Sequence, residues 1–134
     1  MDSLDDLNKV QSTFTKAAGL VLEEVDDSHV KGRIDLSSEH HQPFGIVHGG
    51  VYASAIETAA SIGAAFSVRD QGLTAVGINN NTNFVRSMSE GRVEVNARPI
   101  QQGRTQQLWD VQITDDQGRL VATGQVRLQN ITPR

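Results

Sequence analysis

The sequence predicts an α+β fold in which an antiparallel sheet wraps against one long central helix. Three observations predict it. Residues 49–68 form an apolar or small-residue run with one charged side chain in it, too long for a strand, which sets the helix at about 48–68. The second half of the chain consists of four strand-like runs parted by polar turns that carry glycine. A helix and two strands precede the long helix, so helical and strand segments are segregated rather than alternating.

Residues 3–17 read as one amphipathic helix, with Leu4, Leu7, Val10 and Phe14 at helical spacing and Ser3 and Asp6 placed for a capping box. Residues 20–25 and 29–36 read as two strands around "DDSH", with Val30, Gly32, Ile34 and Leu36 on one face. The loop "SSEHHQPFGI" leads into the central helix, which ends at the polar "RDQG". Strand runs follow at about 73–86, 91–100, 105–114 and 119–131. They turn Val93, Val95 and Ala97, then Trp109, Val111 and Ile113, then Leu120, Ala122, Val126 and Leu128 inward. The segments "SEGR", "QQGR" and "DDQGR" suit hairpin turns. There is no internal repeat, linker or low-complexity stretch, so residues 1–134 are read as one domain.

Composition excludes several classes. Acidic residues number 16 and basic residues 12, a net charge of -4, and no basic run offers a nucleic-acid footprint. With no cysteine, disulfides, thiolate metal sites and thiol nucleophiles are impossible. The acidic start "MDSLDDLNKV" lacks a secretory pattern, which fits a cytoplasmic protein. The central run approaches the length of a membrane span, but Ala, Gly and Ser dominate it and a glutamate sits near its middle. It is therefore read as a buried helix, with no membrane partner.

That glutamate, Glu57, is the one charged side chain between Gly49 and Val68. Val51, Ala55, Ala59, Ile62 and Phe66 fall in one stripe, yet the opposite face is also small, with Ala53, Ser54, Ala60, Ser61 and Ala64 around Glu57. A helix apolar or small all round is expected to be buried all round, which buries Glu57 or lines a cleft with it. Burial of a carboxylate costs several kcal/mol unless it is paired. Either an arginine of the sheet pairs with it, or it stands on an exposed edge, or it acts as general base or nucleophile. Upstream, "GIVHGG" starts the helix. The Gly49 N–H is a candidate donor to an anion or developing oxyanion, with the Gln42 side chain as a second donor, although many helices simply begin with glycine. Eight residues of helix separate Gly49 from Glu57 by about 12 Å of rise. A reacting carbonyl cannot touch both, so a shared site requires two subunits. Ser61, one turn beyond Glu57, could orient the carboxylate or its water.

His40, His41 and His48 match no ligand spacing, and no metal is expected. They read as a solvated loop pair and a helix-start donor. In "NNNTNF", Asn81 or Asn83 could face a cleft or simply solvent. Nucleophile-elbow, phosphate-loop and dinucleotide motifs are absent.

The stretches "QPFGIVHGGVYASAIETAAS", "VGINNNTNFVRSMSEGRVEV" and "GRTQQLWDVQITDDQGRLVA" together resemble the hotdog-fold acyl-CoA thioesterases. The likeness covers about residues 20–130. It is greatest to the branch of the Arthrobacter-type 4-hydroxybenzoyl-CoA thioesterase and the 1,4-dihydroxy-2-naphthoyl-CoA thioesterase, with phenylacetate-pathway thioesterases more distant. The "D-x-D-x-x-G" motif of the other large branch is missing. The resemblance implies that Glu57 attacks the thioester or activates water, that Gly49 N–H holds the carbonyl oxygen, and that Gln42 and His48 polarise or position the thioester. Ser61 stands where the family carries Ser or Thr. By the same resemblance Arg86 and the turn Gly103–Arg104–Thr105 contact the coenzyme A moiety, though Arg86 reads equally well as a plain surface residue. It also implies a homodimer with active sites at the helix–helix interface, paired into a tetramer, and no cofactor. The expected activity is hydrolysis of an acyl-CoA, favouring an aromatic acyl group. The alternatives are a hotdog enoyl-CoA hydratase or dehydratase, and a non-catalytic acyl-CoA-binding module.

Overall fold

The computed structural model describes residues 3–134. In chain order the elements are α1 (Leu4–Lys9), α2 (Thr13–Ala18), β1 (Val21–Val25), β2 (Val30–Leu36), α3 (Gly49–Val68), β3 (Thr74–Phe84), β4 (Gly91–Gln102), β5 (Gln106–Thr114) and β6 (Leu120–Ile131). The strands form one antiparallel sheet in the order β1-β2-β4-β5-β6-β3, and α3 lies across one face of it.

The expected single N-terminal helix is two. Ser12 accepts a hydrogen bond from Thr15 N–H and so caps a new helix, α2, while Ser3 caps α1 through Asp6 N–H. A serine ahead of a helical turn competes with continuation of the previous helix. That break leaves Val10 and Phe14 exposed, where an unbroken amphipathic helix would tuck them in. Gly19, in the left-handed region, ends α2.

Strand alternation places Val30, Ile34, Val93, Val95, Ala97, Trp109, Val111, Ile113, Val126 and Leu128 against α3, all with no exposed surface. "DDSH", "QQGR" and "DDQGR" do close hairpins. "SEGR" does not, because β3 pairs with β6 at the sheet edge while β4 lies between β2 and β5. The segment before β4 instead crosses the sheet end, held where Val85 and Arg86 N–H both donate to Val121 O.

The inward face of α3 is Tyr52, Ala55, Ile56, Ala59, Ala60, Gly63, Ala64 and Val68. Val51, Ile62 and Phe66, expected inside, are only half-buried. In a helix small on most sides, apolar periodicity carries little directional signal, and here it is largely the alanines and Gly63 that face the sheet. Gly63 faces the Trp109 ring so closely that a Cβ there would lie 2.4 Å from Cη2. α3 is long and apolar enough to cross a bilayer, but here the sheet takes up its apolar face.

One polar cluster lies inside this core. Gln107, 1 % exposed, donates to Ala64 O at 3.1 Å and to Asn130 Oδ1 at 2.9 Å. It accepts from Trp109 Nε1 at 2.8 Å and Ser67 Oγ at 3.1 Å. Asn130 passes the bonding on to Gly103 O and Arg104 O in the β4–β5 turn. Gln107→Leu therefore strands several buried groups at once. The expected loss is about 2–3 kcal/mol, read as a lowered denaturation midpoint with an unchanged m-value.

Candidate functional site

α3 begins where the chain runs out of a tight turn. Gly45 N–H donates to Gln42 O and Gln42 N–H to Ile46 O. Pro43 and a left-handed Gly45 suit that reversal. The Gln42 side-chain oxygen accepts from Phe44 N–H, which leaves its NH₂ end as the group with bonds to give. His48 caps the helix: its Nδ1 accepts from Gly50 N–H at 2.7 Å. A backbone N–H can only donate, so the hydrogen of neutral His48 sits on Nε2. The Gly49 N–H has no acceptor among the described residues. It stands at the positive end of a 20-residue helix.

Gln42, Val47, Gly49, Tyr52, Phe84 and Arg86 share a cavity of about 300 Å³. The Phe84 ring presses on the helix start, and a Cβ at position 49 would sit 2.6 Å from its Cζ. Glycine at 49 is thus required by packing as well as for open access to the backbone.

Glu57 lies in a different cavity, of about 410 Å³, with Phe14, Thr15, Ala53, Thr58 and Asn80. The burial expected of the whole helix fails here. The side of α3 away from the sheet is covered in part by α2, and Glu57 is exposed. Nor does an arginine of the sheet pair with it. Its neighbour is Asn80, whose Nδ2 donates to Ala53 O at 3.0 Å and lies 3.4 Å from Glu57 Oε1. Thr82 Oγ1 donates to Asn80 Oδ1 at 2.7 Å and fixes that amide. Ser61 is half-buried one turn further along the same side.

Asn80 was legible in principle, since strand alternation puts residue 80 on the helix side of β3 and 79, 81 and 83 on the other. Asn81 and Asn83 accordingly line a small outer cavity with Asp110, Thr123 and Gln125, away from Glu57. Burial raises the Asp110 carboxyl above its ordinary value. Phe14 of α2 lines the Glu57 cavity, a placement hidden by reading residues 3–17 as one packed helix.

His48, His40 and His41 line a third cavity of about 350 Å³ with Phe14 and Val51. His48 is therefore beside the helix start but not in the cavity of Gly49. His40 is buried rather than solvated: Nδ1 accepts from Ser37 N–H and Nε2 donates to Ala17 O at 3.1 Å. His41 Nε2 bonds Ser89 O at 2.6 Å. His40 and His41 are structural ties, and no group of three His, Asp or Glu suited to a metal occurs among the described residues.

The two predicted phosphate contacts do not meet in one protomer. Arg86 is exposed near Gly49, whereas Gly103–Arg104–Thr105 is tied through Asn130 and Gln107 to Ala64, fifteen residues along α3. That is about 22 Å of helix.

The chain was compared with known proteins. The model of the Thioesterase superfamily matches residues 44–122. A Mycobacterium tuberculosis protein named "Putative esterase Rv1847" is 46% identical over 99% of this chain and 96% of its own length. A solved structure of that protein superposes with a TM-score of 0.88, covering 92% of this chain and 99% of the other. The thioesterase PA1618 of Pseudomonas aeruginosa, solved as a mutant, has a TM-score of 0.90 at 28% identity, covering 99% and 96%. The thioesterase HI1161 of Haemophilus influenzae has a TM-score of 0.89 at 27% identity, covering 98% and 92%.

Proposed function

Since the chain belongs to the Thioesterase superfamily and has the hotdog fold, we propose that it hydrolyses an acyl-CoA thioester to the carboxylic acid and free coenzyme A. One observation carries the reading: α3 holds both an unpaired N–H at its positive end and an exposed carboxylate eight residues on. Glu57 takes a proton from water as the water oxygen adds to the thioester carbonyl carbon. Alternatively Glu57 adds first, and water then cleaves the resulting anhydride. The carbonyl oxygen gathers negative charge against Gly49 N–H and the Gln42 amide. The C–S bond breaks, and the departing thiolate takes up the proton. His48 Nε2–H and Ser61 position the thioester and the carboxylate, and Arg86 with the Gly103–Arg104–Thr105 turn meets the coenzyme A phosphates. An aromatic acyl group is the favoured substrate.

Gly49 and Glu57 open into separate cavities of one protomer, so the reading places them in one site across two chains. β3 supports this. It is an eleven-residue edge strand with Val76, Ile78 and Phe84 exposed, and the unpaired backbone of a long free edge is a template for pairing with another chain. The proposed assembly is a dimer through β3 and α3, doubled to a tetramer. Ile78→Lys is expected to yield monomers by sedimentation and to abolish turnover. A monomer that still hydrolysed substrate would refute the shared site. The enzyme itself is tested by thiol release from a panel of aryl and fatty acyl-CoAs. Release from none of them would refute the reading, and hydration of an enoyl-CoA would replace it with a lyase.

A further inference from the structure

Tyr52 is 3 % exposed and its hydroxyl has no hydrogen-bond partner. Buried phenols almost always find one, so this group is either wasted or reserved. A helical side chain leans toward the N-terminus and covers the preceding turn, which sets Tyr52 over the turn that starts at Gly49. Both residues line the same cavity, together with Gln42 and Arg86. The Phe84 ring, 60 % exposed, lies 6.4 Å from the Tyr52 ring and also against Gly49, and it completes the cluster. Burial pushes the Tyr52 phenol up to about 12, so at working pH it is a neutral O–H able to donate.

Two donors without acceptors among the described residues thus belong to residues three apart in the first turn of a 20-residue helix, both lining one cavity: the Gly49 N–H and the Tyr52 O–H. Neither is answered by a described residue, and both line the cavity that a ligand would enter. We propose that the Tyr52 hydroxyl is a second donor to the carbonyl oxygen of the bound acyl thioester, beside the Gly49 N–H, reached when the exposed Phe84 ring turns aside. The assignment rests on the thioesterase reading and extends it to a residue outside the motif "GIVHGG".

Tyr52→Phe removes only the oxygen. Because the hydroxyl is unpaired in the free protein, its loss should leave the melting temperature equal or higher. Because the carbonyl oxygen gains charge only in the transition state, kcat should fall at least about tenfold with KM nearly constant. Unchanged kinetics would overturn the proposal. So would a kinetic loss accompanied by a lowered melting temperature, which would reveal an internal structural bond. A rise in KM alone would overturn it too, by moving the contact off the reacting carbonyl. If the wild type released no thiol from any acyl-CoA, the hydrolase reading would fall instead. The hydroxyl would then be judged by the thermal shift that benzoyl-CoA itself produces: a shift reduced in Tyr52→Phe keeps the contact, and an equal shift removes it.

Discussion

Glu57→Ala should leave the fold intact and lower thioester turnover by at least about a hundredfold, the usual weight of a positioned general base or nucleophile. The structural side follows from exposure. Glu57 makes no ion pair among the described residues, and its side-chain hydrogen-bond partner, Asn80, keeps its bonds to Ala53 and Thr82 when the carboxylate goes. Surface substitutions of this kind move stability by less than about 0.5 kcal/mol, and alanine suits a helix interior slightly better than glutamate. The measurement is steady-state thiol release beside a melting curve and binding of coenzyme A. Loss of turnover with binding and melting preserved is the expected pattern. Retained turnover would remove Glu57 from the chemistry.

Trp109→Ala should have the largest effect on stability, about 3–5 kcal/mol, a large share of the 5–15 kcal/mol typical of a whole domain. Trp109 has no exposed surface, packs on Gly63 and donates to Gln107. Its removal opens a void between α3 and β5 and takes one donor from a buried network. Gly63→Ala in the wild type forces a methyl into the indole and costs about 1–3 kcal/mol, despite the better helix propensity of alanine. In the Trp109→Ala background the indole no longer opposes that methyl, only Val30 Cγ2 at 3.0 Å has to give way, and part of the lost stability should return. Denaturant unfolding of both single variants and the double variant reads this as strong non-additivity. Additive losses would mean that the two positions do not interlock.

The order of elements and the span of α3 could be read from the sequence because each rests on local pattern. Val93, Val95 and Ala97, or Trp109, Val111 and Ile113, alternate cleanly against polar neighbours, and their strands have one face on the helix. The errors arose where local pattern is silent. Nothing in the run "SEGR" says that β3 departs to the far edge of the sheet, since strand order is set by long-range packing. The face of α3 was misjudged because Ala, Gly and Ser on every side erase the contrast that periodicity needs. Glu57 was expected to be buried or to line a cleft, and it lines one while remaining exposed. At the site, Gly49 and Gln42 fall together as their spacing suggests. Asn80, Tyr52 and Phe14 enter through tertiary contacts that no motif encodes.

The smallness of α3 has a further consequence, in entropy. Alanine and glycine have no rotamers to freeze, so a helix made largely of them orders at low side-chain cost. The groups it carries are then aimed by the backbone. Gly49 presents a main-chain N–H, which cannot swing away, and its direction is that of the helix axis. Glu57, an exposed side chain, keeps torsional freedom, and Asn80 stands where it can limit it. The helix therefore works as a stiff rod with a fixed donor at one end and an adjustable carboxylate along its length.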